Sequence, residues 1–161
     1  PGQPGGQYVA TGLEHSETGA PAYDRKTHRE MTEKRARKLE IAVHDAPPPD
    51  VYGDADADIG IVTWGSTTGT IKEAIDVLEQ RGIKACMIAP KMLWPLPDHQ
   101  LEDFVTKKRQ IFVAEVNYTG QLALLLRQRY LRDVRRINTY EGVPFKVAQI
   151  VEAVEGISHH V

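Results

Sequence analysis

Residues 58–74 of this chain read Asp-Ile-Gly-Ile-Val-Thr-Trp-Gly-Ser-Thr-Thr-Gly-Thr-Ile-Lys-Glu-Ala, and no other stretch constrains the fold as tightly. An apolar run over 59–64 predicts a buried strand. The Gly/Ser/Thr turn that follows predicts a sharp reversal into a helix, with Ile71, Ala74, Ile75 and Leu78 on one face. This is the strand–turn–helix unit of an open α/β sheet, and such sheets place ligands at the carboxyl ends of their strands. The turn itself excludes several chemistries. Gly65-Ser66-Thr67-Thr68-Gly69 is not G-x-G-x-x-G, not the phosphate loop G-x-x-x-x-G-K-[ST], and not the nucleophile elbow G-x-S-x-G.

The alternation continues to the end of the chain. Gly82 is placed to end the first helix as a C′ glycine, and residues 83–89 read as the next strand. Pro95 and Pro97 then break the chain, and Asp98 is expected to cap a helix carrying Leu101, Phe104 and Val105 inward. A strand over 110–116 leads through Asn117-Tyr118-Thr119-Gly120 to a helix with Leu122, Leu125, Leu126 and Tyr130. Residues 135–140 form another strand, and Pro144 suits the first turn of a last helix with Val147, Ile150, Val151 and Val154 on one face. Strict alternation of this kind predicts an α/β fold, a largely parallel sheet covered by helices on both faces.

Residues 1–57 differ in character. They lack long apolar runs and are punctuated by Pro1-Gly2-Gln3-Pro4-Gly5-Gly6, by Gly19-Ala20-Pro21 and by Pro47-Pro48-Pro49, the last read as a semi-rigid spacer. Within them, residues 32–40 are expected to form a short charged helix capped by Thr32, its charges forming a solvated face. The organisation expected is therefore a linker and arm over 1–57 and one α/β domain over 58–161. The chain begins at Pro1 rather than methionine and reads as a segment of a longer polypeptide, although a processed product would look the same.

Composition narrows the classes of function. A hydrophobic content of 41% and a net charge of −2 in 161 residues fit an ordinary soluble domain and give no reason to expect nucleic acid or a membrane surface as partner. No apolar run approaches the roughly 18 residues of a spanning helix. Cys86 is the only cysteine, which suits a reducing cytoplasm and excludes an iron–sulfur cluster held by this chain alone.

The candidate sites are few. Thr68-Gly69 and Thr119-Gly120 each open a helix after a strand, so both turns fall on one edge of a parallel sheet. Ser66, Thr67, Thr68 and Thr119 are thus candidates for holding a phosphate or carboxylate at helix N-termini. The competing reading is that Thr caps each helix and Gly permits close packing. Asp54-Ala55-Asp56-Ala57-Asp58 begins like a calcium loop, but the glycine and glutamate such a loop needs are replaced by Ile59 and Gly65. His15, His28, His44 and His99 are scattered, and His159-His160 has no third ligand nearby, so no metal site is expected. Glu14 and His15 are adjacent and would point to opposite sides of an extended segment. Glu115, at the end of a strand, reads as a polar edge residue or an interface contact rather than a general base. Trp64 and Trp94 are expected in the core or against a neighbouring domain. No catalytic constellation emerges.

Several separate motifs, in order, carry a family resemblance. Thr11-Gly-Leu-Glu-His-Ser-Glu-Thr-Gly-Ala-Pro21, Met31-Thr-Glu-Lys-Arg-Ala-Arg-Lys-Leu39, Thr63-Trp-Gly-Ser-Thr-Thr-Gly69, Met92-Leu-Trp-Pro-Leu-Pro97 and Glu115-Val-Asn-Tyr-Thr-Gly-Gln-Leu122 together resemble the alpha subunit of 2-oxoacid:ferredoxin oxidoreductases, especially those acting on 2-oxoglutarate. The resemblance implies a three-layer α/β/α fold similar to the transketolase C-terminal domain, with a five-stranded, mostly parallel sheet and one antiparallel strand. It also implies an enzyme that decarboxylates a 2-oxoacid with coenzyme A, using thiamine diphosphate, Mg2+ and an iron–sulfur cluster, and passes electrons to ferredoxin. The thiamine signature G-D-G is absent, since Gly53-Asp54 is followed by Ala55. By the resemblance, residues 1–57 would be the exit from a preceding thiamine-enzyme domain and the linker, and 58–161 the transketolase C-terminal-like domain. Cofactors belong to a beta subunit and to preceding domains of the same subunit, and this segment would be structural and inactive alone. The alternative reading is a small-anion binding or regulatory module without catalysis.

Overall fold

The computed structural model describes residues 2–158, and the His159-His160 pair lies outside them. Two compact units divide the chain, Pro1–Asp45 and Ala46–Val161.

In the first unit a helix, α1, runs over Arg25–Ala42 and passes into a short 3₁₀ turn, Val43–Asp45. It is longer than the segment 32–40 expected from sequence, and its cap is Asp24, whose Oδ1 accepts from Thr27 N at 2.9 Å, not Thr32. The N-terminal extension carries no apolar periodicity. Apart from Thr27 and His28 it consists of good helix formers behind a capping aspartate, and only the cap marks its start.

The second unit is a five-stranded sheet between two pairs of helices. In chain order its elements are β1 (Asp50–Gly53), β2 (Ile59–Thr63), α2 (Thr67–Gln80), β3 (Ala85–Ala89), α3 (Asp98–Lys107), β4 (Gln110–Glu115), α4 (Gln121–Tyr130), β5 (Arg135–Asn138) and α5 (Val147–Ser158). The strands lie in the order β1-β3-β2-β4-β5. All neighbours are parallel except β1, which pairs antiparallel with β3 from Asp50 opposite Ala89 to Gly53 opposite Cys86. The expected mixed sheet with one antiparallel strand is therefore present. Its antiparallel strand lies within the stretch 1–57 read as linker, directly after the three prolines.

The central strands are buried along their whole length, as strands with helices on both faces must be. One face packs Ile59, Ile61, Met87 and Phe112 against Ile71, Ile75 and Leu78 of α2 and Ile150, Val151 and Val154 of α5. The other packs Val62, Ile88, Ile111 and Val113 against Leu101 and Val105 of α3 and Leu122, Ala123 and Leu126 of α4. Each set follows the period of its element, 2 in the strands and 3.6 in the helices. The end of α2 is the one expected: Gly82 (φ +80°) donates to Glu79 O at 2.9 Å, and Ile83 N to Leu78 O at 2.9 Å, which closes the last turn.

Two expectations are corrected and a third is narrowed. Asp98 is the first residue of α3 rather than its cap; Pro97 holds the cap position, and the Asp98 carboxylate accepts instead from Arg129 Nε at 3.0 Å and from the Tyr130 hydroxyl at 2.9 Å. α5 begins at Val147, after Pro144, with Lys146 N donating to Gln149 Oε1 at 2.8 Å. Of the two places expected for the tryptophans, the core is excluded, since Trp64 is 39% exposed and Trp94 67%, which leaves the expected contact with a neighbouring domain.

Candidate functional site: the carboxyl edge of the sheet

Strand order reverses between β2 and β4, since the chain leaves β2 toward β3 and then crosses back to β4. The crevice outside their carboxyl ends is where an open α/β sheet receives partners. The turns into α2 and α4 flank it from opposite faces of the sheet.

The α4 turn is sealed by the chain itself. Glu115, the last residue of β4, is 1% exposed, and its carboxylate accepts from Leu122 N and Ala123 N, both at 3.0 Å, and from Asn117 Nδ2 at 2.7 Å. Asn117 Oδ1 accepts from Gly120 N at 2.7 Å and Gln121 N at 3.2 Å. The donors that would greet an external anion are therefore engaged by two side chains, and the positive end of the helix faces a built-in carboxylate. Gly120 is required here: its φ is +69°, and a Cβ would lie 2.7 Å from Arg136 Cδ. Thr119 contributes no side-chain hydrogen bond among those described; its carbonyl accepts from Arg136 Nη1 at 3.1 Å. Glu115 is thus neither an edge residue nor an interface contact but an internal helix cap.

The α2 turn differs. Ser66 holds the cap position in a helical conformation and makes no capping hydrogen bond, Thr68 N reaches Gly65 O at 3.3 Å, and Thr67 is buried. Beside it is a groove of about 290 Å³ lined by Trp64, Gly65, Thr68, Pro90, Lys91 and Leu93. Lys91 Nζ meets Asp50 Oδ2 at 2.5 Å across this groove, and that contact holds the Asp50 carboxyl below its usual range. Of the four anion candidates, the structure leaves Ser66, Thr67 and Thr68 together at one helix end and separates Thr119 from them.

Away from the crevice, Asp98, Arg129 and Tyr130 meet beside Trp94 and Leu125. Arg129 holds the Asp98 carboxyl low, while burial and the bond to Asp98 push the Tyr130 hydroxyl up. In the first unit, Glu14 accepts from the backbone N of His15 at 3.3 Å, while the His15 ring meets Leu13 O at 3.3 Å. The Glu14 carboxylate accepts from Arg35 Nη1 and Nη2 at 3.0 and 3.1 Å and meets His28 Nδ1 at 2.6 Å. Arg35 is the main reason its carboxyl falls to about 2. The cluster is hidden in the sequence because its members are 14 and 21 residues apart. The available signal was His28, Met31 and Arg35 at i, i+3 and i+7 on one helix face.

Among the described residues no three His, Cys, Asp or Glu side chains converge as metal ligands, and Cys86 is a single buried thiol whose pKa burial raises. Asp54, the first acid of the calcium-like run, bridges Lys84 at 2.8 Å and accepts from Asp56 N at 2.9 Å. These residues do not fit a thiamine–metal site or an iron–sulfur cluster.

Residues 57–158 match the family model of pyruvate:ferredoxin oxidoreductase core domain II. The chain belongs to this family. Among relatives of the core domain II chain, the 2-oxoacid:ferredoxin oxidoreductase subunit alpha of Saccharolobus solfataricus is 32% identical over 91% of this chain. The 2-oxoglutarate oxidoreductase subunit KorA of Mycobacterium tuberculosis is 33% identical over 93% of it. The match spans only 24% and 23% of these relatives' own lengths. A solved structure, the 2-oxoglutarate:ferredoxin oxidoreductase from Magnetococcus marinus with 2-oxoglutarate, coenzyme A and succinyl-CoA bound, superposes with a TM-score of 0.81 at 37% identity, over 97% of this chain and 27% of that one. A split-gene transketolase, at TM-score 0.54 and 21% identity over 67% of this chain and 40% of that one, shares the core domain II fold.

Proposed function

We propose that this chain is a structural and assembly domain in the alpha subunit of a cytoplasmic 2-oxoacid:ferredoxin oxidoreductase, which converts a 2-oxoacid and coenzyme A to acyl-CoA and CO2 and passes the electrons to ferredoxin. The observation that carries this reading is the match along almost the whole chain, N-terminal unit included, to an oxidoreductase solved with 2-oxoglutarate, coenzyme A and succinyl-CoA bound. Thiamine diphosphate, Mg2+ and the iron–sulfur cluster would be carried by other domains and by a beta subunit, since the donor sets here do not fit them. The part played by these residues is therefore to fold, to present surface and to hold neighbouring domains in place.

The test is purification of the full polypeptide that carries this chain together with its co-purifying subunits. Reduction of a viologen dye is then measured with coenzyme A and, in turn, 2-oxoglutarate, pyruvate and a branched 2-oxoacid. The expected result is coenzyme A-dependent reduction with at least one of them, with bound iron and thiamine diphosphate, and no activity from residues 1–161 alone. A chain that purifies without partner or cofactor and turns over no 2-oxoacid would overturn the proposal.

A further inference from the structure

The two edges of the sheet are built from different chemistry. At the amino edge the strand ends are covered by charge: Lys84 bridges Asp54 at 2.8 Å, Lys108 Nζ donates to Ala57 O at 2.8 Å, and Arg132 Nη2 donates to Lys108 O at 2.6 Å. At the carboxyl edge, large apolar and aromatic side chains that follow β2, β4 and β5 lie open, beside the polar Ser66, Asn117 and Glu141. Trp64 is 39% exposed, Val116 42%, Tyr118 73%, Tyr140 64% and Val143 52%. The rings of Tyr118 and Tyr140 meet edge to face with centroids 4.9 Å apart, which joins the ends of β4 and β5 into one aromatic surface. Of the charges beside it, Lys91 pairs with Asp50 and Arg136 donates to Thr119 O, and Glu141, next to Tyr140, is exposed.

We propose that this carboxyl edge is buried against another folded domain of the same alpha subunit, whose facing surface is apolar and uncharged. The inference rests on the oxidoreductase reading above and names the surface through which the assembly role is exercised. Three observations select that occupant. Trp and Tyr, with a large apolar body and one polar tip, are the residues that anchor protein contacts, and a domain with both edges in water has no reason to gather them on one. The groove beside Trp64, about 290 Å³, lies at the lower end of ligand-site volumes, and the Asp50–Lys91 pair leaves it no free charge to draw an anion. The alpha-subunit relatives are about four times as long as the part that matches, so most of such a subunit has to pack around this domain.

The test uses the assembled, purified oxidoreductase. Hydroxyl-radical labelling, read residue by residue by mass spectrometry, compares Tyr118 and Tyr140 with Tyr52, which is only 37% exposed on β1. Free in solution, Tyr118 and Tyr140 would label faster than Tyr52; buried at a contact that excludes water, they are expected to label about five-fold slower than it. A second preparation carries Tyr118→p-benzoylphenylalanine, and the photo-crosslinked peptide is identified. A crosslink to another domain of the same polypeptide supports the proposal. A crosslink to a beta subunit or to a second copy of this chain overturns it, as does labelling of Tyr118 and Tyr140 faster than Tyr52. Dye reduction on the same preparation separates the two readings. An active enzyme with reactive tyrosines sinks the surface alone, whereas protected tyrosines in a preparation that uses no 2-oxoacid sink the oxidoreductase reading and the partner's identity with it.

Discussion

The two units of this chain hold their shape by opposite means. In Ala46–Val161, two apolar layers pack against the faces of one sheet, and Phe112, Ile61, Met87 and Leu126 are almost completely excluded from water. In Pro1–Asp45, Met31 is the one buried apolar side chain among the described residues, while Tyr8, Val9, Leu13, Tyr23, Leu39 and Ile41 lie open. What organises that unit is charge: Glu14 with Arg35 and His28, and Glu17 with Lys34 at 3.1 Å. Burial scales with area and drives cooperative folding, whereas exposed ion pairs each contribute little, and a lone helix of 18 residues is marginal in water. The first unit is therefore expected to open locally, at far lower free energy than the second.

The sharpest way to break that contrast is in the sheet. Phe112→Ala should lower unfolding stability by about 4 kcal/mol, the range for a large aromatic removed from a packed core, measured by urea titration of the protein. A loss below about 1 kcal/mol would mean that the sheet is not the cooperative unit. Next in size is Glu115→Ala, expected to cost about 3 kcal/mol because it strands two helix N–H groups and the Asn117 amide. Slowed hydrogen exchange at Leu122 and Ala123 should vanish in that variant, and retained protection would refute the capping role.

Met31→Ala should cost about 1 kcal/mol or less in the main transition, because little packs around the side chain besides polar groups, although a core methionine of equal burial usually costs more. An effect as large as that of Phe112→Ala would merge the units into one. The smallest expected effect is with pH. Because Arg35 holds the Glu14 carboxyl at about 2 rather than its ordinary 4.5, the Glu14 contacts stabilise the first unit above about pH 4.5, and this contribution fades as pH falls toward 2. The carboxyl-carbon NMR shift of Glu14 should titrate with a midpoint near 2. A midpoint near 4.5 would show that the Arg35 pairing does not persist in solution.

The parts of this arrangement legible in sequence are those that repeat. Ile71, Ala74, Ile75 and Leu78 disclose α2, Gly82 its end, and the apolar runs around Ile61, Met87 and Phe112 the buried parallel strands. Features that depend on distant partners were hidden. β1 is four residues long and mostly exposed, so it has no apolar signature, and it becomes a strand only because β3 offers an open edge. Glu115 lies outside the helix it caps, six residues before α4 begins, too far for a local capping pattern to reveal it. The family resemblance was more readable than the local chemistry because its motifs are spread over both units, and it survived errors at single elements such as the start of α1.

The carboxylate of Glu115 also settles how this domain meets solutes. A tethered group competes at an effective concentration set by its attachment, far above that of any free anion in dilute solution. Inorganic phosphate or chloride should therefore neither displace Glu115 nor tighten the α4 turn, and that side of the crevice is indifferent to the salt around it. Small carboxylates such as formate gain access only when the tether is cut, as in Glu115→Ala, where they would restore in solution what the chain otherwise supplies from within.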